Sequence, residues 1–392
     1  MARPKPTIRR VLTGRYLTWA GARLAVRMLP ALSNLLHFYP RGVAALDAAD
    51  RILDNNTWWE ALPFSGELRR FVIENCSHYD KATSRYQPGQ DAEFFRRAVV
   101  IRCAEIQGST GSVVLPSRSA TVTVNGGAPN WNFARPRFLR TDNRITGLAI
   151  HSSRTNNYYH FLVENALPIL DALERYHIDN ATVIHYGQSK VQNDFYETLA
   201  KIWSGLRVYT IRDNESVSID EVLFLVSRTA NAEWAPIARS MADRLAEVFR
   251  IAYGLPSPGR ASRRIFLSRS NAKIRRLTNE AELIEIARQR GFEPFVAHDG
   301  NHREQVGRFA EASHIIAVHG AGLANLIFAP KGARVLEIFP ENFTKSTFAW
   351  MAARLGLDYQ WIVGSKGNYD QIFSLDREIF SVALDRLLDD IF

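Results

Sequence analysis

His314-Ile-Ile-Ala-Val-His319-Gly320-Ala321-Gly322-Leu323-Ala324-Asn325-Leu326 is the stretch on which the reading of this chain turns. An apolar run suited to a buried strand passes straight into a turn with two glycines and then into an apolar helix. Glycine lets a ligand approach the backbone, and a helix start presents unpaired N–H groups and a partial positive charge. Together they make a natural seat for a diphosphate. A tight βα turn whose glycines serve packing alone has the same spelling, and short glycine turns are common.

Strands and helices alternate on either side of that turn. Residues 264–267, 292–296, 314–318, 334–338 and 359–363 read as strands. Helices are expected at 280–290, begun by Asn279, and at 303–312, 321–328 and 347–355. Five strands alternating with helices predict a parallel, doubly wound sheet, which binds ligands at the carboxyl ends of its strands. Upstream, Gly254-Leu-Pro-Ser-Pro-Gly-Arg-Ala-Ser262 packs two prolines and two glycines into a linker. Before it a first βα series is expected, with strands at 146–150, 181–185, 206–211 and 221–225 and helices at 158–176, 194–203 and 236–253. Three shorter strands, at 98–104, 112–115 and 121–124, give that half a β-rich entry.

A chain of 392 residues suggests two domains or one large one, and 46% hydrophobic with 23% charged residues is ordinary globular composition with apolar material for real cores. Its two cysteines, Cys76 and Cys103, make neither a disulfide framework nor a zinc site and fit a reducing compartment. The net charge of +9 is unevenly spread. Residues 1–46 hold eight basic side chains and no acid, which leaves the rest of the chain at +1. A nucleic-acid-binding surface is therefore not expected. In that arm Leu12, Tyr16, Trp19, Leu24, Met28, Leu32 and Leu36 recur at helical spacing among the arginines. The interruptions exclude a spanning helix, which needs about 20 apolar residues. An interfacial helix on anionic lipid fits the pattern, as does a helix packed on its own domain or a tail.

Chemistry-bearing residues gather at predicted strand ends. Arg269 follows the strand Ile265-Phe-Leu-Ser268, and a guanidinium suits diphosphate oxygens through bidentate bonds. Arg275 and Arg276 follow in the same loop, where they are read either as further contacts or as solvated loop charges. Glu337, in Val335-Leu-Glu337-Ile, lies at the same edge and could accept from ribose hydroxyls or sit in an ordinary ion pair. In the first series, Asn156-Asn157-Tyr158-Tyr159-His160-Phe161-Leu162-Val163-Glu164 opens a helix. His160 and Glu164 share a helical face, so the carboxylate could orient the imidazole as a general base. The same pair could be two metal ligands, but a third is not evident. A structural histidine is the plainer alternative. No Asp-x-Asp pair, Walker loop or Gly-x-Ser-x-Gly elbow is present.

Asn157-Tyr-Tyr-His160-Phe-Leu-Val-Glu164, Phe266-Leu-Ser268-Arg269, Asn279-Glu280, His319-Gly-Ala-Gly-Leu-Ala-Asn325 and Val335-Leu-Glu337-Ile resemble, in order and spacing, the motifs of glycosyltransferase family 61. The resemblance covers about residues 95–370 and leaves the arm outside. Phe161 departs from it, since many relatives carry Trp after the histidine.

The resemblance implies an α/β, GT-B-like fold with two Rossmann-like doubly wound domains facing a cleft, here preceded by a basic amphipathic arm. The expected organisation is an arm over 1–47, an acceptor-side domain over 48–253, a linker over 254–262, a nucleotide-sugar-binding domain over 263–375 and a last helix over 376–392. It implies an inverting glycosyltransferase with no cofactor or metal, a nucleotide-sugar donor, expected to be a UDP-sugar, and a glycan or lipid-linked glycan acceptor. Arg269, Arg276, His319, Gly320, Ala321, Gly322, Asn325 and Glu337 are the implied donor set, and His160 with Glu164 the implied catalytic pair. The expected setting is cytoplasmic, at the inner face of a bacterial membrane and in surface polysaccharide synthesis. The rival expectations are another chemistry on nucleotide sugars and a binding or scaffold protein without turnover.

Overall fold

The computed structural model describes residues 42–44, 51–60, 66–75, 92–108, 111–115, 120–122, 143–151, 155–213, 215–229 and 237–389. The basic arm lies outside these almost entirely, as does much of the expected β-rich entry.

The first half begins with β1 (Gly42–Ala44), β2 (Arg51–Glu60), α1 (Gly66–Asn75), β3 (Ala92–Gln107), β4 (Ser112–Leu115), β5 (Ala120–Val122) and β6 (Arg144–His151). A helical segment follows as α2 (Tyr158–His160), a π-helical turn (Phe161–Ala166) and α3 (Leu167–Arg175). Then come β7 (Ala181–His185), α4 (Lys190–Ile202), β8 (Leu206–Thr210), β9 (Ser216–Thr229) and α5 (Arg239–Tyr253). Gly254 stops α5 in the left-handed conformation, φ 57°.

These strands form one nine-stranded sheet in the order β1-β5-β4-β3-β9-β6-β7-β8, with β2 also on β3. The parallel part, β9-β6-β7-β8, carries the expected βα alternation. The rest departs from a doubly wound pattern. β3, sixteen residues long, pairs antiparallel with β9, β4 and β2. The short apolar runs read at 98–104 and 221–225 are the middles of these two strands. Their polar ends, paired along most of their length, hide the extent of the ladder from apolar patterning.

The second half contains β10 (Arg263–Ser268), α6 (Glu280–Arg288), β11 (Glu293–Val296), α7 (His302–Ala310), β12 (Ala312–Val318), a 3₁₀ helix (Ala321–Phe328), β13 (Arg334–Phe339), α8 (Thr347–Leu355), β14 (Asp358–Val363) and α9 (Arg377–Leu388). All five strands are parallel, in the order β11-β10-β12-β13-β14. Phe266, Ile316 and Leu336 pack under residues of α6 and α9, such as Leu283 and Leu384. Ile265, Ile315 and Val335 pack on the other face under residues of α7, the 3₁₀ helix and α8. This is the doubly wound sheet that the alternation predicted.

The two halves share one core. Leu170, Phe195 and Phe249 of the first half pack in the same cluster as Phe309, Phe328 and Met351 of the second. Polar contacts reinforce it. Asp299 accepts from the backbone N–H groups of Lys190 and Val191 at 3.0 and 3.3 Å, so a carboxylate of the second half meets the N-terminus of α4 in the first. Among the described residues no helix is long and apolar enough to cross a membrane.

Candidate active site

The carboxyl edge of the second sheet gathers Arg269 after β10, His319 and Gly320 after β12, and Glu337 near the end of β13. Glu280, at the start of α6, reaches back to this edge. Its carboxylate accepts from Ser268 Oγ at 2.9 Å and from the Arg269 backbone N–H at 2.8 Å. Asn279 bonds Leu375 through both ends of its amide, at 2.8 and 3.2 Å. The Ser268-Arg269 and Asn279-Glu280 motifs are thus one hydrogen-bonded unit that fixes the loop between them.

Arg269 folds over that loop and donates to the backbone oxygens of Arg275 and Ile274, at 3.1 Å each. Its guanidinium lies directly on Gly320. A β-carbon at 320 would stand 1.9 Å from Nη1. Gly320 is extended, φ 169°, so its glycine character answers to this close approach and not to an unusual backbone angle. A β-carbon at Gly322 would come within 3.1 Å of Leu267. Ala321 begins the 3₁₀ helix expected as an α-helix. The side chain of Asn325 donates to the Gly322 carbonyl at 2.9 Å, competing for an acceptor that an α-helical turn would use.

A second cation stands beside the first. Burial, and after it neighbouring Arg275, lower the Arg269 pKa to about 10, with Glu280 opposing. Arg275 is itself lowered by burial, with Glu337 opposing. Its guanidinium lies 5.1 Å over the Phe343 ring, its backbone is left-handed at φ 56°, and its Nε has no hydrogen-bond partner among the described residues. Arg276 is exposed. It is therefore Arg275, left open in the sequence between contact and loop charge, that the fold brings to Arg269 and Glu337.

Glu337 is wholly buried. One carboxylate oxygen lies 2.5 Å from His319 Nδ1, and the other accepts from the Tyr359 hydroxyl at 2.6 Å. Burial pushes its pKa well above the usual carboxylate range, while Tyr359 and Arg275 oppose that rise. The His319 ring stacks on Phe339 at 5.2 Å and meets Phe348 at 5.3 Å. Glu337 and three aromatic neighbours, Phe343 included, therefore hold this imidazole in one orientation.

In the first half, Asn157 caps α2 by accepting from the His160 N–H at 3.3 Å. His160 Nδ1 lies 3.0 Å from Glu164 Oε1, the expected pair, with the histidine side chain 40% exposed. The turn between them is π-helical, a form that occurs mostly as single turns inside α-helices and frequently at functional sites. An aromatic row connects this pair to the other edge: His160 meets Tyr159 at 5.4 Å, Tyr159 meets Phe348 at 5.6 Å, and Phe348 meets His319.

Sequence reading passed over Tyr158, His302 and Tyr253, which join the halves. Tyr158 donates to Asn325 Oδ1 at 2.7 Å and lies 2.7 Å from His302 Nε2. Tyr158 stands inside a recognised motif, but its partners are 144 and 167 residues away, and no spacing rule reaches that far. Among the described residues no three His, Cys, Asp or Glu side chains lie together as a metal site would need.

A family model described as Glycosyltransferase 61 matches residues 158–336. Alpha-1,3-arabinosyltransferase XAT2 of Oryza sativa subsp. japonica is 27% identical over 172 residues, 39% of this chain and 29% of the relative. Alpha-1,3-arabinosyltransferase XAT3 of the same plant is 30% identical over 118 residues, 28% of this chain and 20% of the relative. Its beta-1,2-xylosyltransferase RCN11 is 30% identical over 82 residues, 21% of this chain and 15% of the relative. The chain thus spans less than a third of the length of each of these relatives.

Proposed function

We propose that this chain, whose residues 158–336 match the Glycosyltransferase 61 model, is a member of that family and an inverting glycosyltransferase that takes its sugar from a nucleoside diphosphate. The observation that carries this reading is the pair of desolvated guanidiniums, Arg269 and Arg275, at the glycine turn on the carboxyl edge of a doubly wound sheet. Positive charge held out of water at a ligand edge is matched by the charge of a diphosphate leaving group. His319, oriented by buried Glu337, stands next to the same turn and adds a polar contact for the donor. Glu337 acts through His319, since its oxygens are engaged inside the domain.

His160 is the base in this reading. With Glu164 orienting it, the imidazole takes the proton from an acceptor hydroxyl as that oxygen attacks the anomeric carbon. The bond to the diphosphate breaks on the opposite face, so configuration inverts, and the two arginines receive the leaving charge without a metal. The halves form the two sides of the GT-B-like cleft. The donor is a UDP-sugar. The rice relatives are named for moving arabinosyl and xylosyl groups, so pentose donors come first in a screen. The acceptor is a glycan or lipid-linked glycan, reached at an anionic membrane surface by the arm, in polysaccharide synthesis.

A thermal-shift screen of nucleotide sugars tests the core of this reading. A donor at 100 times its dissociation constant stabilises by about 2.7 kcal/mol. The expected result is stabilisation by UDP-sugars, lost in Arg269→Ala, with turnover of the donor that persists in excess EDTA. No response to any nucleotide sugar would overturn the donor site. Loss of turnover in EDTA, restored by Mg²⁺, would overturn the metal-free chemistry.

A further inference from the structure

A hydrogen-bonded bridge runs from the helix that bears His160 to the backbone of the glycine turn. Tyr158 lies two residues before His160, in the same single turn α2. Its hydroxyl donates to Asn325 Oδ1 at 2.7 Å. Asn325, completely buried, donates from Nδ2 to the Gly322 carbonyl at 2.9 Å and to Gln305 Oε1 at 2.9 Å. Because Gly322 O can only accept, the amide has one admissible orientation, with Oδ1 toward Tyr158. Two side chains therefore span the distance between the proposed base and the proposed diphosphate seat.

The far side of Tyr158 is anchored as well. Its oxygen lies 2.7 Å from His302 Nε2, and His302 Nδ1 lies 2.8 Å from the Tyr253 hydroxyl. The Tyr253 hydroxyl also lies 2.9 Å from Asp194, sharing its one proton between that carboxylate and the accepting Nδ1 of neutral His302, and Lys190 holds the carboxylate at 2.6 and 2.8 Å. Burial raises the Tyr158 phenol well above its ordinary pKa, so it stays a donor across the working pH range.

We infer that Tyr158 is a positioning residue for the transfer, holding the His160 turn in register with the glycine turn through Asn325. This rests on the functional reading above and assigns it a residue that touches neither donor nor acceptor. The bridge is short, and each of its members is fixed by more than one bond or by burial. Small errors in the placement of a base are expensive, about 10²-fold for 1 Å. A lost hydroxyl at Tyr158 frees α2 at its first residue, two positions before His160.

Turnover of a UDP-sugar, with water or a glycan as acceptor, is measured in Tyr158→Phe, His160→Ala and the double variant, alongside UDP affinity by calorimetry. Tyr158→Phe is expected to lower kcat about tenfold or more with UDP affinity within about twofold of wild type. In the His160→Ala background the same change is expected to have no further effect, because its route runs through His160. Tyr253→Phe, which also loosens the interface but lies beyond His302, is expected to lower the melting temperature with kcat within about threefold. Equal losses in both backgrounds, or an unchanged kcat in Tyr158→Phe, would overturn the inference, as would a Tyr253→Phe variant as slow as Tyr158→Phe. Failure of the functional reading looks different: wild-type protein that does not bind UDP, or His160→Ala that turns over normally, removes the base or the donor and this inference with it.

Discussion

Arg269 lies so close over Gly320 that position 320 has no room for a methyl group, 1.9 Å separating a β-carbon there from Nη1. The guanidinium and the glycine are thus a single device. The glycine lets the cation rest on the turn, and the backbone oxygens of Ile274 and Arg275 hold it in place.

Gly320→Ala should therefore displace Arg269 and weaken binding of UDP by about 10- to 100-fold, the range for losing a charge-assisted hydrogen bond. Arg269→Ala should weaken it as much, and the double variant no further. Calorimetry with UDP and with uridine separates diphosphate from nucleoside contacts. Additive losses in the double variant would mean that the two residues act separately.

Glu337 is the most consequential buried acid at this edge. Glu337→Ala leaves His319 and Tyr359 facing a cavity without their hydrogen-bond partner and should cost about 1–3 kcal/mol of stability for each group left unsatisfied. Glu337→Gln keeps the shape and should cost less. Urea unfolding measures both, and wild-type stability in Glu337→Ala would show that the pair contributes nothing to the fold.

The His160–Glu164 contact of 3.0 Å predicts unequal mutants. His160→Ala should lower kcat by about 10²-fold or more with UDP affinity unchanged. Glu164→Gln should do less, since it keeps the shape and loses only the charge. A dead Glu164→Gln beside an active His160→Ala would exchange the two roles.

Acid should destabilise the fold well above the pH at which carboxylates titrate. Burial pushes His151 and His302 to about 3 and lowers His185. In the unfolded chain each returns to about 6.5. Between those values the unfolded chain binds more protons, so this stability is whole above pH 6.5 and drains away as pH falls toward 3. From pH 6.5 to 5.5, His151 and His302 together remove about 2 kcal/mol. Thermal melts at pH 7 and 5.5 should show the fall, and His302→Gln should flatten it. A melting temperature independent of pH over that range would contradict the neutral assignment.

Deletion of residues 1–46 should release the protein from anionic vesicles while donor turnover on a soluble acceptor persists. Added salt should weaken vesicle binding of the full chain, because lipid attraction decays within a Debye length of about 8 Å at physiological ionic strength. Sedimentation with phosphatidylserine vesicles reads this directly. A full-length chain left in the supernatant at low salt would assign the arm to another task.

Legibility in the sequence followed the range of the interaction. The second sheet was readable because each βα unit is local, its apolar strand and amphipathic helix lying within some thirty residues of chain. His160 and Glu164 were readable because four residues on a helix share a face. The β3–β9 ladder was not, since its register is set by partners more than a hundred residues apart and by long polar ends. Glu337 was placed at the right edge, but its burial against His319 and Tyr359 depends on packing depth, which apolar periodicity does not encode. Arg275 and Arg276 are indistinguishable as letters. In the fold Arg275 takes a left-handed backbone and is the less exposed of the two.

Asp299 reaching the first turn of α4 bears on how such proteins diversify. A chimera that joined residues before the linker of one homologue to residues after it from another would strip that turn of its carboxylate and split a hydrophobic cluster built from both parents. Exchange of whole halves therefore has to preserve contacts on both sides of the linker. Innovation is channelled into insertions and substitutions in the segments between strands, where a change meets solvent on one side and leaves the inherited scaffold intact.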